Sequence, residues 1–121
     1  MDKQVIFNKA YLGLKGQGFQ KALTEDGGGC LYRGVGNTKC AIGHLIPDEK
    51  YDPRFEKHGL SFGLSDPIIV EIFKAIEVEA TEDNWNFLYN LQRCHDNSTF
   101  THNMKNQLGH LALDHKLEVP V

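Results

Sequence analysis

No stretch of the 121-residue chain stays apolar for the roughly 18 residues needed to cross a bilayer; the first 18 positions are broken by a polar residue every two or three. Positive charge is never concentrated either. The 13 Lys and Arg stand singly among 16 Asp and Glu, for a net charge of −3, which excludes the clustered basic surface that nucleic acid or an anionic membrane requires. Three cysteines, Cys30, Cys40 and Cys94, are too few and odd in number for a secreted disulfide framework. Internal repeats, low-complexity tracts and linkers are missing, and the glycine-rich GGG and GVGN runs lack the Lys-Ser/Thr ending of a phosphate loop. The expectation is a single domain over 1–121, soluble and unprocessed, in a bacterial or phage-infected host cytoplasm, with neither membrane nor nucleic acid as partner.

The residues present have an ordinary globular profile, 40% hydrophobic and 24% charged, and a chain of this length can bury one core. Apolar residues recur at helical spacing in four places: Phe7, Tyr11 and Leu14; Ile69, Phe73 and Ile76; Phe87, Leu91 and Cys94; Phe100, Met104, Leu108 and Leu111. These predict helices over 4–15, 67–79, 82–95 and 99–114, with Asp66, Thr81 and Ser98 or Thr99 as N-caps. Gly16 and Gly18 end the first helix, and Phe19–Leu23 has room for one further turn. Cys30–Arg33 and Thr38–Cys40 flank the turn-rich Gly34–Asn37 and predict a β-hairpin near residues 30–40. Residues 41–46 read as a short helix stopped by Pro47, and 47–65 as a long loop packed on the core with a turn of helix near 53–57. The fold class is mainly α (α+β): a small antiparallel bundle of three or four helices with one hairpin.

Three constellations could carry chemistry. Cys30, Cys40 and His44 are ligand types that zinc prefers, with Cys40 and His44 spaced i, i+4, although the nine residues between the cysteines are unlike a paired zinc motif. Cys40 at a helix N-terminus could be a nucleophile, with His95 as base and Asp96 holding the imidazole; His110 with Asp114 is another possible base pair. The bland reading of the cysteines is two small buried residues at the foot of a hairpin. Thirdly, Tyr32, Arg33 and Lys39 on the hairpin, with His44, Asp48, Tyr51 and Glu56 following, form a mixed-charge aromatic surface suited to holding a partner; the alternative is a solvated face of weak ion pairs. His95, beside the apolar stripe of its helix, is expected to tie the bundle to the 30–56 segment.

The runs GGGCLYRG, GNTKCAIGHLIPD and YDPRFE, with a weaker LQRCHDN at 91–97, resemble a group of small phage and prophage proteins classed as a domain of unknown function. Cys30, Tyr32, Arg33, Lys39, Cys40, Gly43, Pro47, Asp48, Tyr51, Glu56, His95 and Asp96 fall on that motif. The resemblance implies an accessory role in an infected cell and no particular chemistry. The resulting expectation is a non-catalytic protein, without a cofactor, that binds and inhibits or sequesters a host protein or host-derived nucleotide. The alternative is a cysteine-dependent enzyme or zinc-binding protein centred on Cys40.

Overall fold

Helices carry the fold, and their amphipathic stripes place the core. The computed structural model describes residues 2–27, 29–98 and 101–120. Helix α1 runs Lys3–Gly16, α2 Pro67–Ala75, α3 Glu82–Asp96 and α4 Thr101–Asp114. The Asp2 carboxylate accepts from the Val5 amide, Asp66 from Ile68 and Thr81 from Asn84, so three helix starts have side-chain caps for otherwise orphaned donors. Phe7, Leu14, Ile69, Ile72, Phe73, Phe87, Leu88, Leu91 and Met104 are almost wholly buried in one cluster. Each such side chain contributes about 1.5–3 kcal/mol through apolar surface removed from water. The α3 and α4 helices pack on each other.

Several boundaries differ from the sequence expectation. Helix α2 stops at Ala75 rather than 79, because Glu77 takes a left-handed φ of 59° and Val78 N–H turns back to the Phe73 carbonyl, closing the helix. After α1, Gly18 and Phe19 both take positive φ and Leu23 enters a bridge to Cys30, so the extra turn at 19–23 does not form. Ser98 donates its hydroxyl to the Cys94 carbonyl and so finishes α3; Thr99 and Phe100 lie outside the described residues.

The predicted hairpin at 30–40 is replaced by two isolated antiparallel bridges, Leu23 with Cys30 and Arg33 with Lys39, and the described residues contain no strand. Residues Val35–Asn37 form a 3-10 turn in which Gly36 and Asn37 have φ of 70° and 61°. Two bonds of a hairpin do form, from Gly34 N–H to the Thr38 carbonyl and from Cys40 N–H to the Tyr32 carbonyl, and the ladder goes no further because the Tyr32 amide that would answer Cys40 is engaged elsewhere. The Tyr32 and Arg33 amides both donate to the Glu56 carboxylate, while Leu31 and Val35 amides donate to Ala22 and Leu23 carbonyls. The helix expected at 41–46 shrinks to a 3-10 turn, Gly43–Leu45, and residues 47–65 hold three more, Asp48–Lys50, Pro53–Lys57 and Leu60–Phe62. Phe55 and Leu60 anchor this stretch in the core; Phe62 stays 62% exposed.

Candidate functional site

Glu56 organises the segment that the sequence analysis singled out. Its Oε1 accepts from Tyr32 N at 2.8 Å, and its Oε2 accepts from Arg33 N at 3.1 Å and from the Tyr51 hydroxyl at 2.5 Å. One carboxylate thus fastens the 3-10 turn at 53–57 to the 30–33 segment and to Tyr51. Burial, together with this hydroxyl-to-carboxylate bond, pushes the Tyr51 phenol up to about 12.

Arg33 lies along the Tyr51 ring, its guanidinium carbon 4.3 Å from the centroid. Arg33 Nη2 donates to the Ile46 carbonyl and contacts Asp48 Oδ1 at 2.8 Å, and Lys39 Nζ approaches the same oxygen at 3.5 Å. Asp48 is 79% exposed, and Lys39 and then Arg33 hold its carboxyl below the usual range. Arg33 Nε is buried and has no hydrogen-bond partner among the described residues. Six of the expected surface residues, Tyr32, Arg33, Lys39, Asp48, Tyr51 and Glu56, therefore meet. Tyr32 is largely buried, however, with its hydroxyl donated to the His58 carbonyl.

His44 stands apart from this group. Its Nε2 meets Gln17 Oε1 at 2.9 Å, and its ring lies so close over Gly13 that a Cβ there would sit 2.3 Å from Nδ1. Gln17 is a hub that composition did not suggest: its amide also pairs with both the N–H and the carbonyl of Lys39, joining the end of α1 to the 39–44 segment. Burial, with Lys39 and His95 adding like charge, lowers the His44 imidazole to about 4.

The Cys40-centred readings lose their geometry. Cys40 is fully buried, the Gly43 amide rests on its sulfur at 3.3 Å, and burial pushes its thiol far up, the opposite of an activated nucleophile. His95 has both ring nitrogens engaged: Ala22 N–H donates to Nε2 at 2.9 Å, which leaves the ring proton on Nδ1, donated to Asp96 Oδ1 at 2.8 Å. Cys30, Cys40 and His44 do not converge as a ligand set. Among the described residues, the group that does is Cys30, His95 and Asp96, whose ligand atoms all lie within 4.8 Å of one another. All three cysteines are free thiols.

No protein-family model, curated protein or solved structure matches the chain. Its site is therefore read from its own geometry. Besides the Arg33 patch there is a cleft of about 470 Å³ between the 59–61 turn and the C-terminal half of α3, lined by Tyr89, Gln92, Arg93, Asp96 and Asn97. A narrower cavity of about 70 Å³, reaching Cys30 and Glu56, shares Gly59, Leu60, Gln92 and Asp96 with it. Gln92 holds this wall in place, accepting from the Ile42 amide and donating to Asp96 Oδ1. His110 and Asp114 line a separate groove between α3 and α4.

Proposed function

We propose that this is a non-catalytic binding protein of the phage-accessory type that engages acidic side chains of a host protein through Arg33 and Lys39, blocking or sequestering that protein. The observation that carries the reading is two cations sharing one exposed carboxylate. Arg33 is preset against Tyr51 and Ile46, so it loses little side-chain freedom on binding, and Asp48 occupies the position an incoming carboxylate would take. A nucleotide is the weaker occupant. The Tyr51 face is covered by Arg33 and the Tyr32 ring is buried, leaving this patch without an open aromatic platform for a base.

The test is affinity capture of a host partner with wild-type protein and with Arg33→Ala/Lys39→Ala, alongside thermal shift against a panel of nucleotides. The reading expects a captured protein whose binding the double substitution weakens at least tenfold, and no nucleotide shift. A nucleotide shift that the same substitution removes would replace the host protein by a nucleotide. Unchanged capture by the double variant would rule out this surface.

A further inference from the structure

Away from the Arg33 patch, sulfur, nitrogen and oxygen donors of three residues converge at one point. Cys30 is exposed, His95 is wholly buried and Asp96 is half-buried, and their ligand atoms lie within 4.8 Å of one another. Burial and then the nearby Asp96 charge push the Cys30 thiol up, and His95 Nδ1, which carries the ring proton, lies 2.8 Å from Asp96 Oδ1. Both atoms facing Asp96 thus carry a proton that a metal ion could replace. Asp96 also lines the cleft and the narrower cavity that reaches Cys30.

We propose that Cys30 Sγ, His95 Nδ1 and the Asp96 carboxylate bind one divalent cation of the zinc type, with the fourth coordination position open to the cleft. A thiolate, an imidazole and a carboxylate are the donor mixture that zinc accepts, and three protein ligands plus an open position is the arrangement of an accessible rather than a closed site. The outer support is already in place: Gln92 donates to Asp96, and α3 fixes His95 and Asp96 as neighbours. Bonds of about 2.0–2.3 Å set neighbouring ligand atoms about 3.3–3.6 Å apart, so His95 and Asp96 must part by about half an ångström and Cys30 must close inwards.

Protons balance as follows. The Cys30 proton leaves to solvent, and the His95 proton moves from Nδ1 to Nε2. Ala22 N–H now donates to Nε2, so loading must break that bond. This cost sets the affinity below that of a closed four-ligand site, and it marks the bound state: the Ala22 amide changes its environment when metal enters.

Cobalt(II) is the probe, because a tetrahedral thiolate site gives a sulfur-to-cobalt charge-transfer band and intense visible bands. We expect one cobalt per chain, competed by zinc, and a shifted Ala22 amide resonance in the diamagnetic zinc-loaded protein. Cys30→Ser, at an exposed position, should fold, lose the charge-transfer band and bind at least tenfold more weakly; Asp96→Asn should weaken binding while the band persists at saturating metal; Cys94→Ser should change nothing. A folded wild-type protein without the band, a band that survives Cys30→Ser, or an Ala22 resonance unmoved at saturation would each overturn the assignment.

Discussion

His95 makes no contact with solvent and stands between two polar partners, so its role at the residue scale is set by hydrogen-bond arithmetic. The Ala22 amide needs an acceptor and Nε2 is it. The sequence directs a tie from His95 to the 30–56 segment; the tie falls on Ala22, the residue before the Leu23–Cys30 bridge. His95→Gln should cost about 1 kcal/mol and lower Tm by about 3–6 °C, read by differential scanning calorimetry. An unchanged Tm would show that the buried pair contributes nothing to stability. At His44 the effect is one of pH. The folded state lowers its imidazole to about 4, against 6.5 for the free side chain, so the unfolded chain binds more protons between these values. Stability is therefore complete above pH 6.5 and falls as pH drops towards 4. Water reaches the half-buried ring, which limits the loss to about 1–2 kcal/mol. Urea melts across pH 4–7 should show this limb in the wild type and a flatter one in His44→Gln; parallel profiles would contradict it.

Helices were legible at the element scale because period and caps agree locally. Phe7, Tyr11 and Leu14 are buried, as are Ile69, Phe73 and Ile76, and Asp66 and Thr81 cap as expected. The hairpin was not legible. Cys30–Cys40 has the composition of one, yet Glu56 lies more than twenty residues along the chain and captures the Tyr32 amide that would answer Cys40, and no local signal reports that. Glycines at the element scale separate two kinds of position. A Cβ on Gly43 would stand 2.0 Å from the Tyr32 carbonyl oxygen, so the 43–45 turn can approach the backbone at Tyr32 only with glycine. Gly43→Ala should cost about 1–3 kcal/mol by forcing that backbone apart. Gly109, inside α4 with open space around it, should behave oppositely, and Gly109→Ala should stabilise by about 0.5–1 kcal/mol through helix propensity. Chemical denaturation of both variants reads this directly, and equal effects at the two sites would refute the distinction.

Side chains that bind backbone hold the 3-10 turns to the helices, Gln17 on Lys39, Gln92 on Ile42 and Trp85 on the Leu60 carbonyl, while Glu56 joins the 53–57 turn to Tyr32 and Arg33. The meeting of Arg33, Lys39, Asp48, Tyr51 and Glu56 was legible, because these residues lie within one stretch of chain. The approach of Cys30 to the end of α3 was not legible, because it is a tertiary fact: the sequence groups Cys30 with Cys40 and His44, and His95 and Asp96 with the buried Cys40. On the proposed function, Arg33 and Lys39 form a site for an acidic partner that Asp48 occupies in the free protein. The most direct measurement is a titration of labelled protein with a short polyglutamate peptide, followed by amide and side-chain chemical shifts at moderate salt. Saturable shifts centred on Arg33, Lys39 and Tyr51 are expected, with tighter binding by Asp48→Asn and loss of both in Arg33→Ala/Lys39→Ala. Shifts scattered over the surface, or an Asp48→Asn variant that binds no better than wild type, would contradict it.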